Sequence, residues 1–179
     1  MENTAKKTIL FDEHLKHGAK MVEFGGFLMP IEYLGITEEH LAVREQCGLF
    51  DVSHMGEIAI TGKDTLAFID YLITNDIANA QKMKMTYGLL LYPDGGVVDD
   101  LMVYKYSDSY CLLVVNASNT DKDYAWITEH KGNYDVEIIN KSSEYSQLAL
   151  QGPKAVEILQ SLTAYPLNEL KLFDFDEFL

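Results

Sequence analysis

A tight turn between two apolar segments places the strongest constraint on the fold. Residues 92–96 contain a proline, an aspartate and two glycines, which favour a reverse turn because proline fixes φ and glycine permits positive φ. Apolar runs flank this turn at 87–92 and 97–106, and a third run follows at 110–116 after a Ser-Asp-Ser turn. Three strands joined by short turns form a meander, so the pattern predicts a sheet that is at least partly antiparallel.

Two adjacent carboxylates, Asp99 and Asp100, lie near the start of the second of these strands. Aspartate is depleted from strands and a free carboxylate is costly to bury, so the pair needs an explanation. Successive side chains alternate between faces, which places Asp99 with Leu101 and Val103, and Asp100 with Met102. The two carboxylates are therefore not a shared-proton pair, and we expect one to face a pocket and the other solvent or a helix. A strand end at which both reach water and cap turn amides is the alternative interpretation.

The rest of the chain predicts helices interspersed with further strands. Helices are predicted at 8–17, 63–73, and after the N-cap residues Thr37 and Ser118, and a last helix has Pro153 at its first position. Further strands are predicted at 18–30, 49–53, 56–61, 134–139 and 147–150, the first of them interrupted by Gly25-Gly26 and ended by Pro30. Helices that interrupt a mostly antiparallel sheet are typical of the α+β class, which is the predicted fold class.

Composition narrows the classes of function. The 179 residues suffice for one domain, and the net charge of −14 argues against nucleic acid and against anionic membrane surfaces as partners. No apolar run approaches the ~18 residues of a membrane span, and the N-terminus lacks the apolar core of a signal peptide. Two cysteines without metal-ligand spacing, Cys47 and Cys111, are expected to be buried free thiols in a reducing cytosol. The sequence therefore predicts a cytoplasmic protein without a metal site.

The last residues alternate like a strand and then stop. Phe173 and Phe175 would share one face, and Asp174 and Asp176 the other. Because a domain seldom ends on an exposed Phe-Leu pair, we expect residues 1–179 to be a truncated part of a longer protein.

Six segments in a fixed order resemble a known family. They are 18–27 (GAKMVEFGGF), 39–44 (EHLAVR), 48–55 (GLFDVSHM), 95–101 (GGVVDDL), 114–118 (VVNAS) and 149–153 (ALQGP). Together they resemble the N-terminal half of the aminomethyltransferase family, the T-proteins of the glycine cleavage system. The resemblance extends over essentially the whole chain, and the order of the motifs makes it specific.

The resemblance implies a fold and an activity. The family's folate-binding domain has duplicated β-α-β-β-α-β units, and residues 1–179 would form its N-terminal part. The family's enzyme takes an aminomethyl group from the lipoyl arm of the H-protein, transfers the one-carbon unit to tetrahydrofolate and releases ammonia. Tetrahydrofolate, as co-substrate, and the lipoylated H-protein are therefore the expected ligand and partner.

The resemblance also implies site residues. The family's functional aspartate corresponds to Asp99, and its folate-contacting tyrosine, asparagine and methionine correspond to Tyr87, Asn116 and Met55. Asp99 is expected to be catalytic, with a pKa raised by its apolar setting so that it takes a proton from the reacting nitrogen. Each assignment has a structural alternative: Tyr87 as an ordinary strand aromatic, Asn116 as a helix cap and Met55 as a core residue.

Two other functions share the resemblance. One is a non-catalytic folate-binding paralogue that assists iron–sulfur cluster assembly, and the other is the folate domain of a flavin-linked demethylating dehydrogenase. Asp99 favours the enzyme over the paralogue, and the absence of a dinucleotide-binding glycine motif argues against the dehydrogenase. A purely structural module would require the six motifs to coincide by chance.

Overall fold

The computed structural model describes residues 5–177, which form two compact units. The first unit comprises residues up to 54 together with 146–169, and the second comprises 55–145 together with the segment from 170. The elements in chain order are β1 (Lys6–Lys7), α1 (Phe11–Lys16), β2 (Lys20–Phe24), β3 (Phe27–Glu32), α2 (Ile36–Glu45), β4 (Gly48–Asp51), β5 (Gly56–Thr61), α3 (Thr65–Leu72), β6 (Lys84–Leu91), β7 (Val97–Ser107), β8 (Tyr110–Val115), α4 (Thr120–Glu129), β9 (Glu137–Asn140), β10 (Leu148–Gln151) and α5 (Ala155–Gln160). The predicted α+β class is confirmed.

The first unit contains two small sheets. One has the order β1-β3-β2, in which β1 runs parallel and β2 antiparallel to β3, and the other pairs β4 with β10 in antiparallel fashion. Gly25 and Gly26 form the turn of the β2–β3 hairpin, where both have positive φ. The glycine pair thus turns the chain and gives two strands where the sequence predicted one interrupted strand.

The second unit is built on one five-stranded antiparallel sheet with the order β6-β7-β8-β5-β9. The predicted meander is confirmed as β6, β7 and β8. A continuous apolar core includes side chains from the sheet and from α3 and α4: Ile58, Ile60, Phe68, Ile69, Leu90, Leu101, Val103, Leu113, Val115 and Ile127. We call the side of the sheet that carries these residues the core face, and the opposite side the outer face.

Strand β7 shows how the two faces are divided. From Asp99 to Lys105 every second residue is buried on the core face, whereas the residues between them are only partly buried. The outer face carries Asp100, Met102 and Tyr104. The two adjacent aspartates therefore point to opposite faces, as the alternation predicts.

Gly56, at the start of β5, lets helix α4 approach the sheet closely. A Cβ atom at this position would lie 2.4 Å from the Oγ1 atom of Thr120, the first residue of α4. Such a distance is far inside van der Waals contact, so only glycine fits unless the Thr120 side chain or the helix that carries it moves. The first turn of α4, which includes Asp123, is thereby held next to the end of β7 and β8.

Several predicted boundaries are wrong, each for a local reason. Pro30 does not end its strand but lies inside β3, because β1 pairs only with Phe27 and Leu28 and leaves that edge without a partner at Pro30. Thr37 is not an N-cap: α2 begins at Ile36, after Gly35. The carboxylate of Glu39 replaces the expected cap, since its Oε1 accepts the backbone N–H groups of residues 33, 34 and 35 at 2.7, 2.8 and 3.0 Å.

The two later helices also start beyond their predicted residues. Ser118 lies within a short 3₁₀ turn, and Asn119 occupies the N-cap position of α4. Pro153 precedes Lys154, which occupies the N-cap position of α5, so the proline is outside the helix. The first predicted helix, 8–17, is confined to Phe11–Lys16.

The predicted C-terminal alternation does not produce a strand. Within the described residues this segment makes a single bridge, between Lys84 and Asp174, and Phe173 has positive φ. Phe175 instead packs edge-on against Tyr104 and Tyr106, with ring centroids 5.1 and 4.8 Å apart. The segment therefore covers part of the outer face by aromatic packing.

Candidate functional site

Two of the predicted site residues, Asn116 and Met55, meet Asp100 at one end of the five-stranded sheet. Leu101, Val115 and Gly56 are direct cross-strand partners on β7, β8 and β5. One step further along each antiparallel strand come Asp100, Asn116 and Met55, so these three lie at the same level. Met55 is half-buried directly before β5.

Tyr87 joins this group through Asp100 on the neighbouring strand. Its partner across β6 and β7 is Met102, which makes Asp100 its diagonal neighbour on the outer face. The Tyr87 hydroxyl donates to Oδ2 of Asp100 at 3.1 Å, and the tyrosine is 47% exposed. This hydrogen bond raises the pKa of Tyr87, so the phenol remains protonated and a donor at neutral pH.

Asn116 links the two adjacent aspartates. Its Nδ2 lies 3.0 Å from Oδ1 of Asp99 and 2.9 Å from Oδ1 of Asp100, and also 3.2 Å from the Asp100 backbone oxygen. Ionised carboxylates only accept hydrogen bonds, so the amide NH₂ is the group of Asn116 that fits between them. Asn116 occupies the N-cap position of the 3₁₀ turn, but its side chain makes no cap hydrogen bond and binds the two aspartates instead.

Asp99 lies on the core face and is 7% exposed. The predicted rise in its pKa is wrong. Burial by itself would raise the pKa of Asp99, but its polar contacts with Asp123, Asn116 and Asn119 outweigh burial and hold the pKa below its usual value. The alternative in which both aspartates reach water does not apply to Asp99.

Asp123 is a residue of this site that the sequence did not reveal. It lies in the first turn of α4 and is fully buried beside the Asp99 carboxyl, and neither of its own carboxyl oxygens has a hydrogen-bond partner among residues 5–177. Burial, followed by this contact with Asp99, raises the pKa of Asp123 to about 8, although Lys122 opposes the rise. An aspartate in a first helical turn is typical of an exposed position, so its burial had no signal in the sequence.

Glu57 is a second buried acid on the same sheet. It lies on β5 opposite Val114, is 3% exposed, and its Oε2 has no hydrogen-bond partner among residues 5–177. Burial raises its pKa to about 7. The charge of Glu57 also contributes, after burial, to the raised pKa of Tyr104. The outer face therefore holds a carboxyl group that titrates near neutral pH.

This arrangement can bind a flat, polar ring. Tyr87 and Met102 offer aromatic and thioether surface, and Asp100 offers a carboxylate beside them. Ring-binding sites commonly combine such apolar surface with a few placed polar groups. A carboxylate in this position also stabilises a positive charge that develops on a neighbouring nitrogen.

The first unit contains a cavity with none of the predicted site residues in its lining. Its volume is about 520 Å³. The wall is mostly apolar and includes Pro30, Ile31, Leu34, Ile36, Leu49 and Phe50.

Asp51, also in the cavity wall, anchors a hydrogen-bond network of the first unit. Its Oδ2 accepts from Thr8 Oγ1 at 2.7 Å and lies 2.9 Å from His14 Nε2, whose Nδ1 is 2.8 Å from the Tyr33 hydroxyl. Burial alone would raise the pKa of Asp51, but the bonds from His14 and Thr8 lower it. The network joins α1 to β4 and to Tyr33, the residue that follows β3.

The described residues include two free cysteines and contain neither a metal-ligand cluster nor a helix able to span a membrane. Cys47 and Cys111 are both free, as predicted, although only Cys111 is buried. Residues 5–177 contain no group of three His, Cys, Asp or Glu side chains arranged to hold a metal ion. None of the helices in that range has the length and apolar character needed to cross a membrane.

Comparison with protein families and known sequences identifies similar proteins. The family model described as the GCVT N-terminal domain matches residues 10–178. An aminomethyltransferase of Alkaliphilus oremlandii is 55% identical over 170 residues, which is 95% of this chain and 46% of that protein. One from Alkaliphilus metalliredigens is 53% identical over 173 residues, covering 97% of this chain and 47% of the relative. The chain thus spans about half the length of these curated relatives.

A solved structure agrees with the sequence comparisons. The glycine cleavage system aminomethyltransferase T from Bartonella henselae superimposes with a TM-score of 0.89 and 35% sequence identity. The match covers 94% of this chain and 46% of that one. The observed α+β architecture is therefore shared with that protein over nearly all of the chain.

Proposed function

The chain belongs to the GCVT N-terminal domain family together with aminomethyltransferases, and from this premise we propose that it carries the folate-binding part of such an enzyme. The proposed reaction transfers the one-carbon unit of the aminomethyl-lipoyl H-protein to tetrahydrofolate and releases ammonia. This would be a step of glycine catabolism that feeds one-carbon metabolism.

One observation carries the proposal: Tyr87, Asp100 and Asn116 form a continuous hydrogen-bonded group at the end of the outer face. Three separate segments of the chain contribute these residues, and each segment belongs to a different strand or strand end. Side chains from three successive strands thus converge on a half-exposed surface.

The residues present fit a folate. The pterin ring is flat and polar, and Tyr87, Met102 and Met55 supply aromatic and thioether surface at this end of the sheet. Tetrahydrofolate, when bound, supplies the nitrogen atoms that accept the one-carbon unit. The protein's contribution is to hold the ring and to provide a carboxylate beside it.

The geometry supports a division of roles between the two aspartates. Asp100 faces the outer surface beside Tyr87, so its carboxylate is placed to stabilise positive charge on a reacting nitrogen or to take up a proton there. Asp99, which the family motif indicated, is buried and reaches the same place through the Asn116 amide. We therefore keep Asp99 in the proposed site and assign direct contact with the ligand to Asp100.

The lipoylated H-protein remains the proposed partner. A cytoplasmic location is also part of the proposal and agrees with the two free thiols. Since the chain spans about half of its relatives, transfer activity is best measured in a chimera in which this chain replaces the matching half of the Alkaliphilus oremlandii relative.

Calorimetric titration of the chain with tetrahydrofolate tests binding first. Asp100→Asn should weaken binding because the carboxylate is lost while size is kept, and Asp121→Asn, at an exposed position of α4, is the matched control. Binding by the parent that is unchanged in Asp100→Asn would contradict the assignment of Asp100.

The chimera then separates the enzyme from a folate-binding paralogue. We expect the parent chimera to form 5,10-methylenetetrahydrofolate, and Asp100→Asn to lower the rate on the order of 100-fold or more, since general acid–base and electrostatic contributions are of that size. Folate binding without any transfer by the parent chimera would favour the paralogue. Asp99→Asn should also lower the rate, and a variant that kept more than half of it would remove Asp99 from the site.

A further inference from the structure

We propose that Asp123 and Asp99 share one proton beneath the sheet, and that this proton-bridged pair fixes the Asp100 carboxylate on the outer face through the Asn116 amide. Asp123 is then a positioning residue: it contacts no ligand and acts through two other side chains. The positioning role rests on the proposed function, whereas the shared proton does not.

The supply of hydrogen-bond donors requires the proton. Oδ2 of Asp99 and both carboxyl oxygens of Asp123 are buried without a donor from residues 5–177. Two ionised carboxylates cannot donate to each other, so their contact would be repulsive in a site from which water is excluded. One proton held by Asp123 converts the contact into a hydrogen bond to Asp99.

The charged and titratable groups around Asp123 do not replace that proton. From α4 itself, Lys122 Nζ lies 3.5 Å from Oδ1 of Asp123, but its side chain is 42% exposed. The same ammonium also donates to the backbone oxygen of Val98 at the start of β7. From the sheet side, Asp99 is the group that faces Asp123, and its charge opposes ionisation. Lys122 therefore compensates only part of the charge of two carboxylates.

A continuous path leads from the buried pair to the outer face. Asp99 presents Oδ1 to the Asn116 amide at 3.0 Å, and the same amide nitrogen lies 2.9 Å from Oδ1 of Asp100. The other oxygen of Asp100 accepts from Tyr87 at 3.1 Å. Oδ2 of Asp99 has no donor of its own among the described residues, so it is the oxygen available to the proton from Asp123, whereas Oδ1 holds the amide. Contacts on the core face thus fix the orientation of the Asn116 amide, and the amide in turn fixes that of the Asp100 carboxylate.

Carboxyl carbon-13 NMR of the chain tests the shared proton directly, without any ligand. The aspartate signal that disappears in Asp123→Asn should titrate near pH 8 in the parent rather than near the ordinary 3.8, and the signal assigned by Asp99→Asn should stay ionised to lower pH. If both signals titrated near 3.8, there would be no shared proton and the proposal would be overturned.

Two substitutions at position 123 test the positioning role. Asp123→Asn keeps a donor for Asp99, so the Asp100 carboxyl signal and the Tyr87 ring signals should stay close to those of the parent. Asp123→Leu fills similar space without a donor and should shift both sets of signals. Unchanged Asp100 signals in Asp123→Leu would overturn the role assigned to Asp123.

Asn116→Ala covers the case in which Asp123→Leu does not fold. It should shift the Asp100 signals, whereas Asp123 should still titrate near pH 8, because the Asp99–Asp123 pair lies on the other side of the Asn116 amide from Asp100. An unshifted Asp100 would contradict the path. These readouts do not involve folate, so a chain that fails to bind tetrahydrofolate but shows them would contradict the proposed function and leave this inference standing.

Discussion

Glu57 makes a strong prediction about how stability depends on pH. Burial raises its pKa in the folded chain to about 7, against an ordinary value of 4.5. The folded state thus binds a proton more tightly than the unfolded state. The stability that this group contributes is fully present below about pH 4.5 and is lost as the pH rises through about 7.

The size of the effect follows from the two values. They differ by about 2.5 pH units, and each unit corresponds to about 1.4 kcal/mol, so complete ionisation of buried Glu57 removes about 3–4 kcal/mol from the free energy of unfolding, of which about 3 kcal/mol falls between about pH 4.5 and 8.5. Because Glu57 is only 3% exposed, little of this is lost to screening by solvent. Glu57→Gln keeps the size of the side chain and removes its titration.

Urea unfolding of the parent and of Glu57→Gln, followed by circular dichroism between about pH 4.5 and 8.5, measures this difference. The stability of the variant relative to the parent should rise by about 3 kcal/mol across that range. Comparing the two chains removes the contribution of other groups that titrate there, such as Asp123. Glu129→Gln, at an exposed position of α4, is the matched control and should follow the parent. A difference between Glu57→Gln and the parent that stayed constant with pH would refute the reasoning.

Two further predictions concern the second unit. Lys105 is buried, and its ammonium donates to the backbone oxygens of Ile77, Ala78 and Ala80 at 3.1, 3.1 and 2.8 Å. Lys105→Met should therefore lower the free energy of unfolding by about 2–4 kcal/mol, since these oxygens lose their donor. Urea unfolding measures this loss. A change below about 1 kcal/mol would argue against a stabilising role for the Lys105 hydrogen bonds. Gly56→Ala should cost about 1–3 kcal/mol because the added methyl group meets α4; a thermal midpoint equal to that of the parent would show that the helix has room to move.

The sequence was most informative where the periodicity was regular. The alternation along β7 predicted that Asp99 and Asp100 point to opposite faces, and the burial pattern of the strand confirms it. Strand alternation depends only on local backbone geometry, which explains why it can be predicted from neighbouring residues. The meander was predictable for the same reason.

The sequence did not reveal which elements pack against each face of the five-stranded sheet. Asp99 was expected to be a catalytic carboxylate whose apolar setting raises its pKa, yet it faces α4, where polar contacts hold its pKa low. That outcome depends on Asp123 and Asn116, which reach Asp99 only through tertiary packing. Asp123 in particular had the pattern of an ordinary first-turn aspartate, and its full burial follows from the close approach of α4 at Gly56.

The first residues of the helices also depend on side-chain contacts and turns that helix and N-cap propensities do not describe. Thr37 is a favourable N-cap residue, but the side chain of Glu39 turns back to the preceding amides and moves the start of α2 to Ile36. Similarly, Ser118 lies within a 3₁₀ turn that precedes α4, so it does not cap that helix. Local preference predicted that helices form in these segments but not the residue at which each begins.

The rate of one-carbon transfer by the chimera, measured side by side for the parent, Asp100→Asn and the control Asp121→Asn, tests the central claim most directly. The account predicts that the parent and Asp121→Asn convert aminomethyl-lipoyl H-protein and tetrahydrofolate at similar rates, and that Asp100→Asn is slower on the order of 100-fold or more. Equal rates for Asp100→Asn and the parent would contradict the claim that the outer face beside Tyr87 is where the reaction takes place.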